Sequence, residues 1–294
     1  MIKDYLLKAI DKEKQVRVTI AHTTGLVEEA HHRHNTSATA SAALGRVLTA
    51  ALIMGSDLKN EKDVLTLRIN GDGIAGPIVA SVDSHGNGRA FISNPVADLP
   101  SRYPGKLAVG ELVGAGGYLE VIKDTGMKQP FIGRVNLVSG EIAEDLSTYF
   151  MLSEQIPSLV ALGVLVDTDL SIKAAGGLIV QAMPGAEDAI LAEIENNILG
   201  MGSISDVMVK SQGLEEMLDI IMGNIGYHVI AERDLAFRCT CSRERLGIIL
   251  SNLPEQELAD TIKQEGKLEV SCNFCGEVYQ YSLPEVLAHK KQKP

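Results

Sequence analysis

Four cysteines carry the clearest chemistry in this sequence: Cys239-Thr240-Cys241 and Cys272-Asn273-Phe274-Cys275, with 30 residues between the pairs. Zinc takes four thiolates tetrahedrally at about 2.3 Å, and structural zinc sites are commonly all-cysteine. Gly276 behind the second pair lets backbone N–H groups turn toward sulfur, as in a zinc knuckle. The first pair is more tightly spaced than the two-residue gap most zinc ribbons use. One Zn²⁺ per chain is expected in the reduced state, with Cys239, Cys241, Cys272 and Cys275 as its ligands. Four unrelated buried cysteines would be a poor account of two such close pairs. Arg238, Arg243 and Arg245 flank the first pair and can partly balance the net negative charge of a zinc tetrathiolate.

Such a site can be purely structural, or it can be a switch. A Cys-x-Cys pair closes a disulfide only in a small, strained and labile ring, whereas Cys-x-x-Cys closes easily. Each half-site therefore has a disulfide partner of its own, and oxidation would dismantle the site pairwise. Zinc keeps its sulfurs deprotonated, the form that oxidants attack. Zinc binding to small modules contributes roughly 10–16 kcal/mol of folding free energy, so losing it should unfold the module. A neighbouring segment docked on that module could follow.

The elements that position the cysteines are short. Residues 237–294 read as helical stretches at 242–251 and 255–264, a hairpin of 267–271 with 277–281, and a last helix after Pro284. So small and polar a segment is marginal without a staple. Upstream, residues 183–236 read as a helical linker. Pro184 suits the first turn of a helix running to about Asn197, and helical pieces follow near 204–210 and 214–222. Gly200, Gly202, Gly213, Gly223 and Gly226 weaken this segment, and it holds five of the nine methionines. Met201, Met208, Met217 and Met222 are candidates for contacting apolar partners, because Met is flexible and polarizable; ordinary core filler is the competing account.

Residues 1–182 read as an α+β core domain. An Ala/Leu-rich helix spans 37–58, with His34-Asn35-Thr36-Ser37 offering acceptors at its start. Strand signals recur at 16–20, 64–69, 78–82, 88–92, 118–122, 131–138, 159–166 and 178–182, and 141–155 is helical. The turns 70–73 and 85–88 imply a mixed or antiparallel sheet with covering helices.

The totals exclude several functions. Apolar residues make up 45% of the 294, enough for a packed interior, and with no Trp and five Phe there is no base-stacking platform. The balance of 27 basic against 38 acidic residues gives −11, which repels phosphate backbones. The basic tail Lys290, Lys291 and Lys293 is short and reads as solubilising. Charges interrupt residues 1–8 before a signal sequence can form. No apolar run approaches the roughly 18 residues that span a bilayer, the longest being 159–166. A cytosolic protein without nucleic-acid or membrane partners is expected.

Other signals in the sequence are weaker. Gly71-x-Gly73-x-x-Gly76 matches a dinucleotide fingerprint but is followed by a strand, not a helix, and Gly114 to Gly117 fails likewise. His31, His32 and His34 beside Glu28 and Glu29 read as a solvated helix face rather than a second metal site. There is no Gly-x-Ser-x-Gly elbow and no Walker loop, so neither an enzyme nor an ATPase is expected. A thiol–disulfide oxidoreductase would place Cys-x-x-Cys at a helix start, whereas here it joins two short strands. A permanently docked zinc-ribbon binding module remains the alternative.

Cys-x-Cys followed by Ser242-Arg243-Glu244-Arg245, with Cys-x-x-Cys at this spacing near the C-terminus, resembles the redox-regulated heat-shock holdases, the 33-kDa chaperonin family. The likeness runs through His34 to Ser37, Ala42 to Arg46, Ile69 to Gly73, Gly76 to Val79, Gly114 to Leu119, Ser153 to Ser158 and Gly176 to Leu178. The resemblance implies a reduced form that is zinc-bound, folded and inactive. It further implies that oxidants, with heat, join Cys239 to Cys241 and Cys272 to Cys275, with loss of zinc and unfolding of the C-terminal module and linker. The active form would be a homodimer that holds unfolding client proteins without ATP, and reduction would reset it. So loose a linker also permits exchange of the C-terminal half between protomers.

Overall fold

The computed structural model describes residues 2–101, 103 and 105–290. Lys291 and Lys293 of the basic tail lie outside the described residues. The chain forms two compact units, one ending at Arg238 and the other starting at Cys239. The fold is α+β with antiparallel and mixed sheets, as the strand spacing predicts.

The first unit runs β1 (Tyr5–Asp11), β2 (Val16–His22), α1 (Thr24–His34), α2 (Ala38–Gly55), β3 (Val64–Asn70), β4 (Ile78–Asp83) and β5 (Asn87–Ile92). It continues with α3 (Val109–Val113), β6 (Tyr118–Asp124), β7 (Phe131–Asn136), α4 (Ala143–Tyr149) and a π-helical turn, Phe150–Glu154. Then come β8 (Ser158–Val166), β9 (Ile172–Ala182), α5 (Asp188–Met201), α6 (Ile204–Lys210), α7 (Leu214–Met222), β10 (Tyr227–Asp234) and β11 (Ala236–Phe237). One sheet has five strands in the order β10-β1-β2-β9-β8, and the other has six in the order β11-β5-β4-β3-β6-β7. All pairs are antiparallel except β11 with β5.

Helix α2 lies between the sheets, packing on β3, β4 and β5 and on β2, β8 and β9. Its start is fixed by Ser37, whose hydroxyl accepts the Ala40 N–H. Its small residues allow close approach, with Gly45 against Val27 and Val164 and Gly55 against Val82. With a mean hydropathy of 1.4 it is long and apolar enough to cross a membrane, contrary to the expectation that no such segment exists. Its window is 89% buried inside the fold, where it forms the core.

The five-stranded sheet is covered on both faces. One face joins the α2 core, and the other carries Leu7, Val18, Leu178 and Val180 against α6 and α7. Strand β9 is therefore buried on both sides rather than alternating. The β1–β2 turn that aligns this sheet is held by Asp11, 1% exposed. Its carboxylate accepts the N–H groups of Glu13 (3.0 Å), Gln15 (2.7 Å) and Val16 (2.7 Å). Asp11→Ala leaves those donors without their charged acceptor, at a cost of about 3 kcal/mol. The expected result is a lower urea midpoint for the first unit with an unchanged slope.

Several expectations are corrected. The helix predicted from Pro184 begins at Asp188 and ends at Met201. Residues 183–186 turn instead, with Ala186 N–H donating to Met183 O and Gly185 at φ +88°. The helical linker predicted over 183–236 does not stay helical, because 227–234 forms β10 on the edge of β1. The solvated histidine face is also wrong in part. His31 is buried, with Nδ1 near Thr36 Oγ1 (3.1 Å) and Ser41 Oγ (3.2 Å), and His34 Nε2 donates to Ala90 O (2.9 Å). His32 alone stays exposed, paired with Glu28 one turn earlier. The 71–76 glycines form a turn as expected: any Cβ on Gly71 or Gly73 would run into the carbonyls of Val113 or Leu112.

Candidate metal centre

The second unit consists of α8 (Arg243–Leu250), α9 (Glu255–Glu265), β12 (Leu268–Ser271), β13 (Val278–Tyr281) and α10 (Leu283–Lys290). These follow the predicted helices and hairpin to within a residue or two. Its buried apolar core holds Leu250, Leu258, Leu268, Tyr281 and Val286, too little to hold so short a segment without a further constraint.

Cys239 and Cys241 lie in the extended stretch before α8, whose start is capped by Ser242 Oγ accepting the Arg245 N–H (3.1 Å). Cys272 and Cys275 sit in the β12–β13 turn. That turn closes because Cys272 N–H donates to Glu277 O (2.9 Å) and Gly276 N–H to Cys272 O (2.8 Å). Gly276 occupies the left-handed region at φ +73°, where a side chain would be strained. The β12–β13 pairing of Leu268 with Tyr281 then anchors the turn to the small core.

The four sulfurs lie within 4.8 Å of one another. Cys239 Sγ is 3.7 Å from Cys272 Sγ, and Cys241 Sγ is 3.4 Å from Cys275 Sγ. A tetrahedron of sulfurs about 2.3 Å from a central ion has edges of about 3.8 Å, so the set fits a four-coordinate zinc. Both of these close approaches run across the two pairs rather than within them. All four are thiols, with Cys272 and Cys275 buried and Cys239 and Cys241 half-buried.

The titration of Cys239, Cys272 and Cys275 is shifted by burial and by one another. Burial pushes the Cys239 thiol up, but the Cys241 backbone N–H and the surrounding thiols outweigh it and hold it at about 7. Burial pushes the Cys272 and Cys275 thiols up. Without a cation the cluster cannot carry four negative charges at such separations. Tyr279, which the sequence reading did not single out, brings its hydroxyl 3.5 Å from Cys241 Sγ. It is placed by the β13 alternation that also buries Tyr281, whose hydroxyl donates to Arg243 O (2.6 Å).

Two of the flanking arginines have side-chain partners of their own. Arg243 pairs with Glu285 (2.9 Å) and stacks on Tyr281, with its guanidinium 4.9 Å from the ring centre. Arg245 donates to Thr240 Oγ1 (3.3 Å), between the first two cysteines. Arg238 belongs to the first unit, where its N–H donates to Gly88 O. Of the candidate methionines, Met208, Met217 and Met222 are buried on the five-stranded sheet and Met201 is half-buried beside them.

Known proteins give this arrangement a context. A family model described as Hsp33 protein matches residues 4–282. A 33 kDa chaperonin from Clostridium botulinum (strain 657 / Type Ba4) is 43% identical over 285 residues, covering 97% of this chain and 96% of that one. One from Bacillus cytotoxicus is 45% identical over 287 residues, covering 97% and 98%. The crystal structure of the 33 kDa chaperonin from Thermotoga maritima superposes with a TM-score of 0.90 at 37% identity, covering 99% of this chain and 98% of that one. Both units fall within these matches, and the family model extends through the four clustered cysteines. The chain belongs to the Hsp33 family and is a chaperone of the Hsp33 type.

Proposed function

We propose that this protein is a redox-regulated holdase that binds unfolding proteins without ATP, switched by the four-cysteine cluster. The observation that carries the reading is the convergence of four sulfurs in a unit whose described residues bury a core of just Leu250, Leu258, Leu268, Tyr281 and Val286, with a few half-buried neighbours. Cys239, Cys241, Cys272 and Cys275 hold the ion in the reduced state. Bound zinc supplies charge neutralisation for four thiolates and a cross-link between the two cysteine turns.

Oxidation acts on the thiolates. Each pair gives up two electrons to one peroxide, which takes two protons from solvent and leaves as two waters while the S–S bond forms. Pairing is within each turn, Cys239 with Cys241 and Cys272 with Cys275. Cross-links between the turns would keep the unit stapled, whereas pairing within them removes all four donors and leaves nothing to join them. The unit then loses its fold. The segment 183–222, which covers the apolar face of the five-stranded sheet, is released, and that face and Met201, Met208, Met217 and Met222 meet the client. The oxidised form assembles as a dimer, in which exchange of the C-terminal half is one arrangement. Cytoplasmic conditions keep the resting state reduced.

The test is light scattering of a chemically unfolded protein diluted into buffer containing reduced, zinc-loaded protein or peroxide-treated protein. A chromogenic chelator follows zinc in the same samples. Suppression of aggregation only after oxidation, with zinc released in step, is expected. Peptide mapping should then find the two within-turn disulfides. Equal activity in both states, or zinc retained after oxidation, points instead to a structural zinc ribbon on a constitutive binding module.

A further inference from the structure

β10 is the outermost strand of the five-stranded sheet, and none of its eight residues is buried. Val229 and Ile230 are 44% and 51% exposed. The neighbouring β1, by contrast, buries Tyr5, Leu6, Leu7 and Ala9. The sheet's apolar faces are thus nearly complete without β10, which adds Tyr227 at one end and otherwise covers the backbone edge of β1. The ladder is also interrupted: Lys8 pairs with Ala231 and Ala9 with Val229, so Ile230 is bulged out.

Its fastenings lie in segments on either side. At one end Tyr227 donates to Asp219 of α7 (2.8 Å). At the other, Leu235 is buried, Ala236 and Phe237 pair with β5, and Cys239 follows two residues later. Of the remaining side-chain links, the ion pair of Lys3 with Asp234 is exposed and Arg233 donates to Ser56 O at 3.5 Å in a part-buried position. β10 is therefore strung between the two segments whose release is proposed above.

We propose that β10 is a displaceable edge strand, and that the edge of β1 beneath it takes up an extended apolar segment of an unfolding protein by antiparallel strand addition. This rests on the reading that oxidation unfolds the second unit and frees residues 183–222. Asp4 O accepts from Leu235 N–H, and Lys12 N–H donates to Gly226 O, so both ends of β1 face β10. Strand alternation then puts the N–H groups of Leu6, Lys8 and Ile10 on that edge. With α7 gone, Tyr5, Leu7 and Ala9 present an apolar face continuous with Val18 and Ile20 of β2. An added strand finds backbone partners along β1 and lays alternate side chains on that face. Backbone pairing is indifferent to sequence, which suits a partner defined only by being extended and apolar. β10 competes weakly because Glu232, Arg233 and Asp234 give it a charged end, and Tyr227 alone of its side chains packs on the core.

The experiment is residue-resolved amide hydrogen exchange on the full chain in three states: reduced with zinc, peroxide-oxidised, and oxidised with reduced, carboxymethylated α-lactalbumin as a permanently unfolded probe. Holding of that probe is measured in parallel. The amides of Leu6, Lys8 and Ile10 should exchange at least 100-fold faster on oxidation and recover at least tenfold protection with the probe. If they keep their reduced-state protection while the probe is held, β10 never leaves and the proposal fails alone. Exposure without recovery while the probe is held also overturns it, by placing the client elsewhere. No holding after oxidation overturns the proposed function, and this inference with it.

Discussion

Replacing Cys275 by serine is expected to unfold residues 239–290 in the reduced protein and, on the proposed coupling, to release 183–222 with them, while helix α2 and the sheets it joins stay folded. The substitution removes one of four sulfurs that lie within 4.8 Å of one another. A serine hydroxyl is a poor replacement for a thiolate on a borderline-soft ion such as zinc. The free energy at stake is large, because zinc binding to small modules contributes roughly 10–16 kcal/mol. Against it stand five buried apolar side chains, at about 1.5–3 kcal/mol each, set against an ordering cost of about 1–2 kcal/mol for every residue fixed. The variant should lose its bound metal on dialysis and part of its helical circular dichroism. Protease cleavage should appear within 239–290 at rates at least 100-fold above the parent. Among the described residues the first unit has no comparable cluster, so its α2 core should stay folded. A second unit that stays folded without metal would show that its small core suffices and would remove the basis of the switch.

The cysteine cluster was legible because ligand spacing is local. Two residues between Cys272 and Cys275 and a following glycine define a turn whatever surrounds it. The central helix was legible for a similar reason: an Ala/Leu-rich run after Ser37 leaves few alternatives. What the sequence concealed was decided by long-range pairing. β1 and β10 are 216 residues apart from Asp11 to Tyr227, and neither has a pattern that names the other. β1 is interrupted by Lys8 and Asp11, and β10 by Glu232, Arg233 and Asp234, so neither alternates cleanly. The histidines misled for the same reason. His31 and His32 are neighbours on α1, yet one faces Thr36 and Ser41 in the core and the other faces solvent. The methionines of 183–222 carried no sign of their burial beyond helical spacing, which core and partner-binding helices share.

That spacing allows the docking of the segment to be broken without touching a cysteine. Leu214, Met217, Leu218, Ile221 and Met222 of α7 are all buried on the sheet, and Tyr5 of β1 fixes the helix start by accepting the Leu214 N–H (2.8 Å). Leu218→Asp places a carboxylate where the side chain is fully buried. Loss of the leucine's burial costs about 2 kcal/mol, and an unpaired buried charge adds several more. α7 has nine residues between Gly213 and Gly223, so undocking is its easiest response. The reduced variant should retain its zinc, become sensitive to protease at 183–222, and hold an unfolded client about as well as the oxidised parent. Ile220→Asp, on the exposed face of the same helix, should leave the reduced protein inactive and protease-resistant. If Leu218→Asp exposes the segment without any holding in the reduced state, the covered sheet face is not the client surface, and oxidation must create that surface elsewhere.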